Sequence, residues 1–177
     1  MRKLQNEELD RLSTEEYKQA PKIPVWLVLD NVRSLNNIGS IFRTADAFRL
    51  AGIFLCGITA TPPHREIHKT ALGATESVHW EYRKETREVL TELKASGFRI
   101  LAVEQTEGAS PLDQVRLKRG ERYALVFGHE VRGVEQKVVD MSDLCIEIPQ
   151  FGTKHSLNIS VAAGIVIWEV FKRLGGL

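Results

Sequence analysis

Short apolar runs alternate along this chain with stripes of apolar residues three and four apart. The run PVWLVLD (24–30) reads as a buried strand, and beyond the polar loop NVRSLNN the positions Ile38, Ile41, Phe42, Ala45 and Phe48 repeat at helical spacing. Ile53 to Ile58 predicts a second buried strand, and the Pro-Pro pair in TATPPHR excludes regular pairing after it. VHWEY (78–82) predicts a strand, ETREVLTELKASG (85–97) an amphipathic helix ended by Gly97, and FRILAVEQ (98–105) another strand. RYALVFG (122–128), a short helix over 134–141 and LCIEIP (144–149) precede a long helix from about Ser156 to Arg173. Strands alternating with helices predict an α/β domain, a mostly parallel sheet with helices on both faces.

Residues 1–22 break this pattern, with ten charged side chains before Pro21 and Pro24, and read as a charged arm or short helix ahead of one domain over 23–177. The longest apolar stretch, Leu50 to Ile58, has nine residues against the roughly 18 that a membrane helix needs. No apolar segment follows the basic residues of the N-terminus, so the expected location is the cytoplasm, without a membrane partner. Cys56 and Cys145 each lie in an apolar run and read as reduced, buried thiols. With 24 Lys plus Arg against 23 Asp plus Glu the net charge is +1, so any nucleic-acid surface must be a local patch.

Several chemistries lack their sequence requirements. Neither G-x-G-x-x-G nor G-x-x-x-x-G-K-[ST] occurs: Gly128 and Gly133 have the second spacing, but Val134 stands where the phosphate-binding lysine belongs. HREIH (64–68) places two histidines four apart with the glutamate misplaced for a zinc protease, and no third ligand is suggested, so no metal is expected. A nucleophile elbow G-x-S-x-G is missing too.

Three segments combine a strand end, a polar loop and a helix start, where open α/β sheets place ligands: 29–48, 126–134 and 148–165. Each alone has a plain structural account. Asn36 or Asn37 caps the first helix, Arg43 pairs with Asp46, Glu130 is a turn residue, and Ser156 caps the last helix. Together they resemble the SpoU (TrmH) family of RNA ribose methyltransferases in the SPOUT superfamily. The pattern N-x-G-x-x-x-R-T-x-D-A-F is met by Asn37, Gly39, Arg43, Thr44, Asp46, Ala47 and Phe48. F-G-x-E-x-x-G is met by Phe127, Gly128, Glu130 and Gly133, and I-P with S-L-N-x-S-x-A by Ile148, Pro149, Ser156, Leu157, Asn158, Ser160 and Ala162.

The resemblance implies a C-terminal deep trefoil knot, a homodimer, and S-adenosylmethionine held largely by main-chain groups. It places Gly128, Ile148 and Leu157 at the cofactor, with Gln105 or Thr106 after the preceding strand as a further contact. It implies methyl transfer to a ribose 2′-hydroxyl, with Arg43 stabilising the developing alkoxide or positioning a phosphate through its fork of donors. A guanidinium is a poor general base, so the proton acceptor stays open. Asn37, Ser156 and Asn158 would orient Arg43 and the ribose, and Glu130 would fix the cofactor loop. Trp168 and Phe171 on the last helix are the expected dimer anchors.

A 2′-hydroxyl implies an RNA partner. Arg33, His129, Arg132, Lys154 and His155 flank the three motifs and form the expected phosphate-binding surface, which RLKRGER (116–122) extends or merely solubilises. Many relatives carry an added RNA-binding domain or a longer C-terminal extension, and neither is expected here. The target nucleotide is therefore open, tRNA being the first choice and rRNA the second. The other classes are a non-catalytic RNA-binding protein retaining the fold, against which the intact motif residues speak, and a nucleotide-dependent α/β enzyme, against which the missing glycine motifs speak.

Overall fold

The computed structural model of the protein describes residues 1–176. Seven strands form one parallel sheet among these residues: β1 (Ile23–Asp30), β2 (Leu50–Cys56), β3 (Trp80–Arg83), β4 (Phe98–Val103), β5 (Ser110–Pro111), β6 (Arg122–Phe127) and β7 (Leu144–Glu147). Their order across the sheet is β3-β2-β1-β6-β4-β7-β5. The helices are α1 (Thr14–Gln19), α2 (Leu35–Ala47), α3 (Arg65–Ala71), α4 (Ala74–Ser77), α5 (Thr86–Ala95), α6 (Gln136–Met141) and α7 (Ile159–Leu174).

Side chains alternate across each strand, and two cores result. Val25, Leu27 and Leu29 of β1 pack with Ile38, Ile41, Phe42 and Ala45 of α2 and with Ala163, Val166 and Val170 of α7. Val28 points the other way, to Phe54, Cys56, Val89 and Leu90 of α5, and Val138 of α6. Helices therefore cover both faces, as the alternation of runs and stripes predicts. Each fully buried residue of this size contributes roughly 1.5–3 kcal/mol of burial.

The departures are local. HREIH lies in α3, where only Ile67 and Ala71 are buried, too few to write a stripe into the sequence. His64 caps that helix, its Nδ1 accepting from the Glu66 N–H at 3.2 Å. Neither asparagine caps α2: Ser34 Oγ accepts from the Asn37 N–H. Gly39 lies against α3, and a Cβ there would overlap Thr70 Oγ1 and the Ile67 carbonyl. The last helix begins at Ile159 rather than Ser156, because Asn158 is its cap.

Ser13 caps α1 and the Glu16 carboxylate accepts from the Ser13 N–H in return. The arm is not wholly solvated, since Tyr17 is 5% exposed and belongs to the α2/α7 core. Cys56 and Cys145 sit on β2 and β7 with three strands between them, roughly 19 Å at ~4.8 Å per strand and beyond disulfide reach. Burial, foremost, pushes the Cys56 thiol up to about 12. No helix among the described residues is long and apolar enough to cross a membrane.

Candidate functional site

A cavity of about 490 Å³ opens at the carboxyl ends of β4, β6 and β7, where parallel sheets place ligands. The segments following those strands and the lead into α7 line it, among them Gln105, Gly128, Glu130, Ile148, Ser156, Leu157 and Asn158. Two of the three motifs thus supply its wall directly. The first motif joins through hydrogen bonds. Glu130 accepts from the backbone N–H groups of Arg33 at 3.1 Å and Ser34 at 2.8 Å and from Asn37 Nδ2 at 3.3 Å. Asn37 Oδ1 in turn accepts from Asn158 Nδ2 at 3.1 Å. Asn158 Oδ1 accepts from the N–H groups of Ser160 at 2.9 Å and Val161 at 3.4 Å, capping α7. One chain of polar contacts therefore ties all three motifs together.

Burial pushes the Glu130 carboxyl up, but the backbone donors of Arg33 and Ser34, with Asn37, outweigh it and hold the group below its ordinary value. The Glu130 carboxylate thus anchors the start of α2 to the β6 loop. That loop is a tight turn in which His129 and Gly133 exchange N–H and carbonyl bonds of 3.0 and 2.8 Å. Gly128 faces this turn: a Cβ would overlap Gly133 and the Val134 nitrogen, so it serves close approach of the loop to itself before any ligand. Glu104, at the end of β4, accepts from the Val134 N–H at 2.9 Å and the Gln105 N–H at 2.8 Å. Sequence reasoning missed it, although an acid directly after a buried strand and before Gln105 was the available signal.

The remaining residues divide. Gln105 lines the cavity and donates to the His155 carbonyl at 3.0 Å; Thr106 does not line it. Ser156 is exposed on the cavity wall and makes no side-chain hydrogen bond among the described residues. Arg33, His129 and Arg132 come together around an adjoining cavity of about 350 Å³. One ring nitrogen of His129 is already engaged, accepting from the Val131 N–H at 3.0 Å. His155 lines the main cavity, whereas Lys154 is exposed on the same loop without lining it.

Arg43 departs most from expectation. It is exposed, pairs with no side chain among the described residues, and lines neither cavity. Asn37 and Asn158 orient each other, not Arg43. Asp46, its expected partner, instead accepts from the Ser77 hydroxyl. Six positions along α2 separate Arg43 from Asn37, about 120° around the helix by the shorter way, so the two side chains leave α2 on different faces.

An all-parallel α/β sheet with a ligand-sized cavity at its carboxyl edge, built by three polar loops, defines a ligand-binding α/β domain. The chain belongs to the SpoU rRNA Methylase family, whose model matches residues 24–168. It is 34% identical over 147 residues to a 23S rRNA (guanosine-2′-O-)-methyltransferase, RlmB, of Nitrosomonas europaea, covering 83% of this chain and 55% of that protein. Its fold matches the AdoMet-bound rRNA methyltransferase of Sinorhizobium meliloti with a TM-score of 0.81 and 26% identity, over 89% of this chain and 60% of that one. A structure concerned with 2-OH methylation of C/U34 on tRNA matches with a TM-score of 0.76 and 26% identity, over 85% of this chain and 95% of that one. The chain spans about three fifths of the length of the curated relatives it matches.

Proposed function

We propose that this protein transfers a methyl group from S-adenosylmethionine to a ribose 2′-hydroxyl in a structured RNA, tRNA in the first place. The observation that carries the reading is the cavity of about 490 Å³ at which the Glu130–Asn37–Asn158 chain joins all three motifs. The donor set fits the cofactor. The wall is drawn largely from the loops after β6 and β7 with apolar Ile148 and Leu157, suited to an adenosine, and its volume lies in the ligand range. Gln105, Gly128, Ile148 and Leu157 would hold it. S-adenosylmethionine supplies the electrophilic methyl group when bound.

The protein's own work is alignment and charge. The ribose oxygen must approach the methyl carbon in line with the departing sulfur while its proton leaves, and positioned side chains supply that geometry. Asn158 and Ser156 border the place where the ribose would sit, and Asn37, held by Glu130, fixes Asn158 from behind. Arg33, His129, Arg132 and His155 offer donors to phosphates, with Lys154 nearby on the exposed loop. A match over nearly the whole of the tRNA-directed neighbour favours tRNA over rRNA.

Arg43 stabilises the developing alkoxide from a second copy of the chain, the arrangement that reconciles its motif position with its exposure. The exposed apolar stripe of Val161, Ile165 and Trp168 on α7 is the contact surface of that homodimer. A deep trefoil knot in the C-terminal part, the division into an arm (1–22) and a methyltransferase domain (23–177), and a cytoplasmic place of work complete the reading. Calorimetry with S-adenosylmethionine, followed by transfer of labelled methyl to bulk tRNA, tests it. Binding in the micromolar range with alkali-resistant label at one nucleotide is expected. Failure of the cofactor to bind would overturn it.

A further inference from the structure

A second cavity, of about 650 Å³, lies where the arm meets α2, α4 and the end of α7. Arg11 of the arm, Arg43 of α2 and Arg49 just beyond it line this cavity together. None of the three guanidinium groups has a hydrogen-bonded or ion-paired side chain among the described residues, although Asp10, Asp46 and Glu76 line the same space. Three arginines and three carboxylates leave the hollow without net charge, so it suits a ligand that offers both acceptor oxygens and N–H donors, as a nucleotide does.

The second observation is independent of charge. Tyr17 lines the cavity at 5% exposure, and its hydroxyl is the single buried side-chain N or O atom without a hydrogen-bond partner among the described residues. A buried hydroxyl left unpaired costs free energy, and native structures rarely leave one without a reason. Burial, foremost, raises the pKa of this phenol, so it remains a donor. Lys22 packs over the Tyr17 ring at 4.5 Å and donates to the backbone carbonyls of Tyr17 and Ala20, which holds the ring in place.

We propose that this cavity is a second RNA subsite, taking a nucleotide that flanks the target ribose. Its arginines and the Tyr17 hydroxyl serve the phosphate and ribose oxygens, and its carboxylates the N–H groups of the base. The inference rests on the RNA-methyltransferase reading and extends it: the arm is not a loose tether but one wall of the substrate site. Arg43 joins the two, since it lines this cavity and is the residue assigned to the reacting oxygen.

The test measures binding of bulk bacterial tRNA without cofactor, at several salt concentrations, for Tyr17→Phe and Arg49→Gln, beside calorimetry with S-adenosylmethionine and thermal melting. Tyr17→Phe removes only the hydroxyl, so its melting temperature should equal or exceed that of the wild type. Its tRNA affinity should fall roughly tenfold, the usual loss for a hydrogen bond to a charged group. Arg49→Gln should make the log–log salt dependence shallower by about one unit. Cofactor affinity should be unchanged in both. Wild-type tRNA affinity and salt slope in both variants, or no tRNA binding by the wild type, would overturn the subsite. Loss of cofactor binding by the wild type would instead overturn the methyltransferase reading, and the tRNA measurements would still decide the subsite.

Discussion

Asn158 caps α7 through its side-chain oxygen and donates through its nitrogen to Asn37 Oδ1 at 3.1 Å, so one amide both starts a helix and fixes a second motif. Asn37 is 9% exposed, and its own nitrogen is spent on Glu130. Replacing Asn158 by Ala removes the cap and strands the Asn37 carbonyl, for a loss of about 1–2 kcal/mol in urea denaturation. Asn158→Asp keeps the cap and loses only the donor to Asn37, so its stability should fall between wild type and Asn158→Ala.

The Glu130 carboxylate sets an acid limb. Its folded-state pKa is depressed, so the stability it contributes is fully present above the unfolded value near 4.5 and is lost as pH falls through the folded value. Urea midpoints from pH 7 to pH 3 should show Glu130→Gln less stable than wild type at neutral pH, with the gap closing below about pH 4.5. A constant gap over that range would remove the ionised carboxylate from this role.

Gly128→Val places a branched side chain against the Gly133–Val134 backbone of the same loop. The turn has to open, at about 1–3 kcal/mol of overpacking. Melting should fall accordingly and cofactor binding should disappear from calorimetry. Binding at wild-type affinity would mean that the loop is not part of the cofactor wall.

Arg43→Ala should abolish methyl transfer and leave cofactor affinity near wild type, since Arg43 does not line the main cavity. Mixed with Gly128→Val, which keeps Arg43 but lacks the pocket, it should regain about a quarter of wild-type activity at equal amounts, because a two-fold dimer then holds one complete site in half the particles. No recovery would place Arg43 in its own chain's site.

Trp168 is 51% exposed on α7 yet stacks on Phe171 at 6.1 Å, with Phe48 behind both. Trp168→Glu should convert a particle of about twice the 20.0 kDa chain mass into a single chain by light scattering. A wild-type protein already of single-chain mass at micromolar concentration would remove the dimer.

Local pattern was enough for most of the secondary structure. The buried run at β1 and the stripe of α2 are legible because one strand or helix face follows a fixed period, whatever it packs against. The three motifs were legible too, since each is a contiguous segment whose residue types carry their chemistry. What periodicity omits is which element ends meet. Glu130 and Asn37 are 93 residues apart and Asn37 and Asn158 are 121 apart, and only the strand order brings them within hydrogen-bond reach. The same packing puts Tyr17 of a charged arm into the core and turns Arg43 away from the cavity that its motif helps to build. Spacing along a chain determines the face a residue occupies on its own helix or strand. Its partners follow from how those elements stack, a property of the whole buried core that no single segment encodes.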